Sequence, residues 1–107
     1  LPIWQEVAIA TWAALGGAET GDAVCLAQYS DRSVQIDGTF GGATVVFEGS
    51  NDGTNYYTLT DPQTTAISKA AAALEAISEL TLYVRPRSTG GTGSSIKVTF
   101  LARKSTT

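Results

Sequence analysis

The sequence predicts an all-β domain, an antiparallel β-sandwich or jelly roll of about seven or eight strands. Turn signals built from Gly, Asn, Asp and Ser recur about every 8–12 residues. The runs between them are rich in Val, Ile, Phe, Tyr and Thr, which favour a pleated, half-buried surface. No long helical periodicity and no βαβ rhythm competes with this pattern. At 107 residues, 43% of them hydrophobic, the chain is predicted to form one domain over residues 1–107.

The first strand, predicted over residues 3–14, is apolar on both faces. Val7 and Ile9 share one parity, and Trp4 and Trp12 share the other with small alanines between them. A strand with two apolar faces in a small sandwich favours a partner that covers the second face, and tryptophan is enriched at interface hot spots. Trp4 and Trp12 are therefore candidate partner-interface residues. The alternative is that both fill the core of this domain.

Two further strands are predicted over residues 24–29 and 33–40. In the second of these, Val34 and Ile36 point towards the core and the residues between them point to solvent. Cys25 is the only cysteine, so no internal disulfide exists, and its apolar neighbours predict an inert thiol in the core.

A β-hairpin is predicted over residues 45–59, reversing at the Asn-Asp-Gly turn at 51–53, where positive φ costs little. Tyr56 and Tyr57 point to opposite faces of the second strand, so one of them is expected in the core. The other is free to pair across the hairpin or to stack on a ligand.

The segment over residues 64–79 is ambiguous. Its sequence SKAAAALEA has high helix propensity, with Ser68 as an N-cap, so a short helical turn near 68–76 is one alternative. A packed loop or a strand is the other.

A second hairpin is predicted between residues 80–87 and 95–103, across a glycine-rich loop at 88–94. With Arg85 opposite Lys97, the apolar side chains of both runs share one face. The other face then carries a basic strip on an acidic protein. The strip is either a solvated face or a docking surface for an acidic partner. Its members are candidate interface residues: Tyr83, Arg85, Arg87, Lys97 and Arg103.

The sequence carries no pattern of catalytic or ligand-binding chemistry. It contains no histidine, which removes the usual general base, the Ser-His and Cys-His nucleophile pairs and most zinc sites. The loop at 88–94 lacks the Lys-Ser/Thr of a phosphate-binding loop. The segment from Glu48 to Gly53 echoes a calcium loop, but Leu59 stands where the bidentate glutamate belongs. We expect no catalytic residue, no cofactor and no metal, and hence no enzyme.

Charge and hydropathy exclude two classes of partner. The net charge of −3 provides no basic surface for nucleic acid. No apolar run approaches the roughly 20 residues that cross a bilayer, so no membrane association is expected.

Two phrases of the sequence carry a family resemblance. They are GTFGGATVVFEGSNDGTNYYTLTDPQ and AISELTLYVRPRSTGGTGSSIKVTFLAR, and the likeness covers roughly residues 34–103. Both resemble the small β-rich structural proteins of tailed-bacteriophage virions, in particular the capsid cement, or decoration, proteins with jelly-roll folds. The resemblance implies a non-enzymatic protein at the outer surface of the virion capsid. Its partners would be the major capsid protein, whose neighbouring subunits it would cement, and further copies of itself in a homo-dimer or trimer.

Two alternatives to the cement interpretation stay open. The first is a carbohydrate- or cell-surface-binding β-sandwich module, which an exposed Tyr56 or Tyr57 beside the turn at 51–52 would favour. The second is a tail or neck component of the same virion, which shares this composition.

Overall fold

The computed structural model describes residues 7–25 and 28–104, which form two antiparallel sheets stacked face to face. The first sheet has the order β1-β9-β3-β7. The second sheet has the order β2-β8-β4-β5, and β6 also pairs with β4. The strand bounds are β1 Val7–Leu15, β2 Val24–Cys25, β3 Asp31–Thr39, β4 Thr44–Ser50, β5 Tyr57–Thr58, β6 Ser68–Lys69, β7 Ala73–Ala76, β8 Tyr83–Thr89 and β9 Ser95–Arg103.

This arrangement confirms the predicted all-β sandwich. With the two-residue strand β6 set aside, the remaining strands are distributed between the sheets in the order of a jelly roll. The chain alternates between the sheets except at the hairpin that joins β4 to β5. The described residues form nine strands, against an expectation of about seven or eight. Three of the nine, β2, β5 and β6, are only two residues long, which is too short for a sequence pattern to reveal.

Along the long strands, side chains point alternately to the core and to solvent, as the sequence predicted. Val34 and Ile36 are each 1% exposed on β3, and the apolar side chains of β4 and β9 point towards them. Phe47 of the second sheet stacks on Phe100 of the first, with ring centroids 5.5 Å apart. Arg32 closes one end of this core by donating to the carbonyl oxygens of Tyr29 and Thr81 at 2.9 and 2.7 Å. Because its guanidinium is desolvated, the pKa of Arg32 is lowered.

The central hairpin is confirmed: β4 pairs with β5 through Glu48 with Thr58 and Gly49 with Tyr57. Gly53 has a φ of 76°, which glycine adopts at no steric cost, and the chain reverses there.

The ambiguous segment contains strands, and no helix occurs among the described residues, so none crosses a membrane. Of the two alternatives that the sequence left open, the helical turn near 68–76 does not form and the strand alternative is confirmed. Ser68–Lys69 pairs with β4 and Ala73–Ala76 pairs with β3. The two short strands thus take the alanine-rich segment from one sheet to the other, and pairing at both sheet edges overrides its intrinsic helix propensity.

The second predicted hairpin is wrong. Strand β8 pairs with β4 and β2, whereas β9 pairs with β1 and β3. The loop at 88–94 is thus an arch that takes the chain from one sheet to the other. It is held by hydrogen bonds from the Thr92 N–H to the Gly41 carbonyl and from the Ser94 hydroxyl to the Phe40 carbonyl.

Cys25 corrects a further expectation, since its side chain is exposed and does not lie in the core. It lies on β2, where Val24 pairs with Val84 and Cys25 pairs with Tyr83 at the edge of the second sheet. In so short a strand, Val24 takes the inward position and Cys25 the outward one.

Candidate interaction surfaces

The structure divides the predicted basic strip between two opposite faces of the sandwich. Tyr83, Arg85 and Arg87 lie on the outer face of the second sheet, because Val84 and Pro86 between them are buried. Lys97 and Arg103 lie on the outer face of the first sheet. The five side chains therefore form no single surface, and an interface role for each of them stays a prediction.

On the second sheet, Arg85 and Arg87 converge on one carboxylate. Their Nε atoms donate to Oε1 and Oε2 of Glu48 at 2.8 and 3.2 Å. The Glu48 side chain is only 5% exposed although it points away from the core, and the Tyr56 ring covers Arg85 with its centroid 3.6 Å from Cζ. The Glu48 carboxylate compensates one of the two positive charges, so the cluster offers less free positive charge to an acidic partner than the sequence predicted.

The outer face of the first sheet carries exposed apolar side chains, and we call it the apolar face. One row across the strands consists of Ile9, Leu101, Ser33 and Ala76, and the next consists of Thr11, Thr99, Gln35 and Leu74. Neither row contains a charged residue. Ile9 is 63% exposed, and Val7, which precedes it by two residues on β1, is 47% exposed. Leu74, on the opposite edge strand β7, is 67% exposed.

Charged residues border the apolar face at both ends. Asp31 pairs with Arg103 beyond one row, and Asp37 pairs with Lys97 beyond the other. A depression of about 320 Å³, lined in part by Leu101 and Arg103, opens at the first of these ends. An uncharged centre with a charged rim is typical of protein–protein interfaces.

Trp12 lies on the core side of β1. Its ring meets Phe47 edge-on at 6.1 Å between centroids, and its indole N–H donates to the Asp22 carbonyl at 2.9 Å. A bulge between Trp12 and Leu15 then lets Leu15 also point inward. Trp12 thus has partners within its own domain, whereas Trp4 lies outside the described residues.

A groove of about 410 Å³ lies at the β5 edge of the second sheet. We call it the Tyr57 groove, because the ring of Tyr57, 73% exposed, lies at its border. Asn51 and Asn55 line one wall, and Glu79 and Thr81 come from the segment before β8. Tyr56 covers Arg85 instead, so the two tyrosines point to different sides of the hairpin, as the sequence predicted. The expectation that one of them lies in the core is wrong, because the Tyr57 ring is exposed at the β5 edge and the Tyr56 ring lies over Arg85 on the outer face.

The turn that forms one wall of the groove is fixed by its own side chains. The Ser50 hydroxyl accepts from the Gly53 N–H at 2.9 Å, and Asp52 Oδ1 accepts from the N–H groups of Thr54 and Asn55 at 2.8 Å each. The Asn55 side-chain amide donates to Asp52 Oδ2 at 2.9 Å. These bonds hold the wall in one conformation before any ligand arrives.

Both carboxylates of the groove are held in their charged forms. Hydrogen bonds from the backbone N–H groups of Asn55 and Thr54 and from two side chains lower the pKa of Asp52. Partial burial raises the pKa of Glu79, but bonds from the Thr60 hydroxyl and N–H groups and its own N–H outweigh this effect, so that its pKa is lowered. The groove therefore carries negative charge at neutral pH.

No cluster of three or more His, Cys, Asp or Glu residues with metal-binding geometry occurs within residues 7–25 and 28–104. Glu48 and Asp52, the acidic residues of the calcium-like segment, are engaged with arginines and with turn N–H groups respectively.

The sequence alone did not predict which residues come together in the apolar face or in the Tyr57 groove. Alternation predicted which side of β1 carries Val7 and Ile9, but the neighbours Leu101 and Leu74 depend on strand order. For the groove, the exposed tyrosine beside the turn was the available signal.

The fold is similar to that of a phage-related protein of known structure. The crystal structure of the SPBc2 prophage-derived protein YomS matches over 97% of this chain and 98% of that chain, with a TM-score of 0.77 and 12% sequence identity. A Bacillus endospore appendage protein matches 97% of this chain and 88% of its own at 18% identity, but with a TM-score of 0.48, too low to support an inference. No family model and no curated protein matches the sequence. The likeness to YomS establishes the shared fold.

Proposed function

We propose that this protein is a non-enzymatic structural component of a tailed-phage virion that binds the outer surface of the capsid and cements neighbouring subunits of the major capsid protein. The apolar face is the docking surface in this proposal. The observation that carries it is the pair of uncharged rows across the first sheet, with Ile9 63% and Leu74 67% exposed.

The composition of the apolar face favours a protein partner. Isolated exposed apolar residues are ordinary, but Val7, Ile9 and Leu101 adjoin one another and Leu74 lies on the same uncharged face, and an exposed apolar patch marks an interaction site. The Asp31–Arg103 and Asp37–Lys97 pairs at its ends supply both signs of charge, which set orientation against a partner more than affinity. The depression beside Leu101 would receive a side chain of the capsid subunit.

The fold likeness and the sequence resemblance support the phage setting. The similar solved structure is that of a prophage-derived protein. The phrases quoted from residues 38–63 and 76–103 resemble capsid cement proteins. The jelly roll alone serves many functions, so the proposal depends on the apolar face rather than on the fold.

Cementing would work by selective binding to one state of the shell. A protein that binds only the mature lattice stabilises that lattice by mass action. Bridging requires contacts with two subunits, which a homo-dimer or trimer at a symmetry axis would supply. Among the described residues no strand pairs with the outer edge of β1, and such an edge would serve self-association.

Co-sedimentation tests the proposal. Purified protein is mixed with mature shells that lack it, and bound protein is measured in the pellet. We expect saturable binding for the wild-type chain and a loss of about tenfold or more in affinity for Ile9→Glu and Leu74→Glu, because a charge would be buried against the shell.

The matched control is Ser68→Glu, which adds the same charge at an exposed position on the second sheet. It should bind like the wild type. Equal loss in all three variants would contradict docking through the apolar face. Absence of binding to shells, with binding to isolated tails or necks, would favour a tail or neck component instead.

A further inference from the structure

We infer that the Tyr57 groove is a binding site for a neutral pyranose sugar of a glycan. This site goes beyond the proposed shell docking, because it lies at the edge of the second sheet, whereas the apolar face belongs to the first. Its size and its ring of polar groups around one aromatic side chain are those of a small-ligand site.

The exposed tyrosine provides the flat surface that a sugar ring needs. Tyr57 is the most exposed of the large hydrophobic side chains in the described part of the chain, at 73%. Its backbone is fixed by pairing with Gly49 on β4. A tyrosine ring combines an apolar face, which packs against the C–H face of a pyranose, with a hydroxyl that hydrogen-bonds at the rim.

The two asparagines supply the hydrogen-bonding groups that fit sugar hydroxyls. Asn51 Oδ1 accepts from the Leu82 N–H at 3.0 Å, which leaves its Nδ2 as the available donor. Asn55 Nδ2 donates to Asp52, which leaves its Oδ1 as the available acceptor. Neither available atom has a partner among the described residues. A hydroxyl both donates and accepts, so adjacent sugar hydroxyls can satisfy one donor and one acceptor together.

The carboxylates of the groove disfavour both cationic and anionic ligands. Both oxygens of Glu79 accept hydrogen bonds from Thr60, at 2.7 Å from its N–H and 2.5 Å from its hydroxyl, and both oxygens of Asp52 accept bonds within the turn. These carboxylates are thus occupied, which weakens them as ligands for a cation. Their negative charge still repels an acidic sugar such as a uronate or a sialic acid.

The floor of the groove is closely packed. Gly49 lines it, and a Cβ at this position would overlap the Thr81 hydroxyl and lie 3.0 Å from Leu59 Cδ2. Thr81 and Leu59 therefore pack directly against the Gly49 backbone and hold the floor in place. Together with the hydrogen-bonded turn, this makes the site preformed, which lowers the entropic cost of binding.

The test is a glycan array that carries neutral and acidic glycans, probed with the full chain and followed by calorimetric titration of each bound glycan. We expect binding confined to neutral glycans. Tyr57→Ala should weaken it about tenfold or more, whereas Tyr57→Phe, which keeps the ring, should stay within about threefold.

Asn51→Asp sharpens the test, because the aspartate still accepts from Leu82 but lacks the side-chain donor. It should also weaken binding about tenfold. The control is Leu74→Glu, on the opposite sheet, which should lose shell binding and keep glycan binding. Three results would each overturn the inference: the wild-type chain binds no neutral glycan more strongly than Tyr57→Ala does, binding survives Tyr57→Ala, or the chain prefers acidic glycans. None of these results bears on shell docking.

Discussion

Arg85 donates from Nε to Glu48 Oε1 at 2.8 Å, directly across the β4–β8 pair on the outer face of the second sheet. The arrangement buries a carboxylate at a position that alternation assigns to solvent, because Arg85 and Arg87 lie over it and Tyr56 lies over Arg85. Two arginines and one glutamate then behave as a unit whose parts depend on one another.

Glu48→Gln tests this cluster. The substitution keeps the shape of the side chain but leaves both guanidinium groups without their counter-charge, so we expect the free energy of unfolding to fall by about 1–3 kcal/mol. Urea denaturation measures it. The control is Glu75→Gln, whose ion pair with Lys69 at 2.7 Å is more exposed and should cost less than about 1 kcal/mol. Equal losses of unfolding free energy in the two variants would show that the burial of Glu48 contributes no additional stability.

Gly49→Ala tests the close approach on the floor of the Tyr57 groove. The added methyl group would overlap the Thr81 hydroxyl, and we expect a loss of about 1–3 kcal/mol in unfolding free energy. Because truncation of Thr81 removes the overlapping atoms, the double variant Gly49→Ala/Thr81→Ala should be more stable than the sum of the single losses predicts. Strict additivity in denaturation experiments would contradict the steric explanation.

The acid response of the protein tests the groove carboxylates. The pKa values of Asp52 and Glu79 are lowered in the folded state from their ordinary values of 3.8 and 4.5. A lowered pKa means that each carboxylate stabilises the fold above its ordinary pKa, and that this contribution is lost as the pH falls through the folded value. The variant Asp52→Asn/Glu79→Gln should therefore be less stable than the wild type at neutral pH.

The difference between the two proteins should shrink between about pH 5 and pH 2, as the wild-type carboxylates take up protons. Thermal unfolding monitored by circular dichroism across this range measures it. A difference that stays constant with pH would show that these hydrogen bonds do not favour the charged forms.

Trp12→Ala tests whether this tryptophan serves the fold. The substitution removes the edge-on contact with Phe47 and the hydrogen bond to Asp22, so we expect the isolated chain to lose about 2–4 kcal/mol of stability. Trp12→Phe, which keeps a ring against Phe47, should lose less. Unchanged stability in both variants, together with weaker shell binding, would instead support the interface role predicted from the sequence.

Much of the sandwich could be predicted from alternation alone, because side chains two residues apart share a face whatever their strand pairs with. Val34 and Ile36, and equally Val98 and Phe100, were placed on the core side, and all four are buried. The central hairpin was predictable because its turn at 51–53 reverses the chain locally and needs no knowledge of distant strands.

Strand partners could not be predicted in the same way. Val84 and Ile96 face the core whether β8 and β9 pair within one sheet or face each other across two, so parity supports both arrangements. The loop at 88–94 is long enough for either. The jelly-roll order selects the arch, and with it the separation of Arg85 from Lys97 and the composition of the apolar face.

The central claim is tested most directly by cryo-electron microscopy of shells that lack this protein, imaged with and without the purified chain in excess. We expect ordered, symmetric density on the shell exterior, with the first sheet towards the capsid and Ile9 and Leu74 at the contact. At a concentration near the dissociation constant of the wild-type chain, Leu74→Glu should give much weaker density than the wild type, while Ser68→Glu should decorate the shell like the wild type. A bare shell with the wild-type protein, or density that contacts the capsid through the second sheet, would contradict the account.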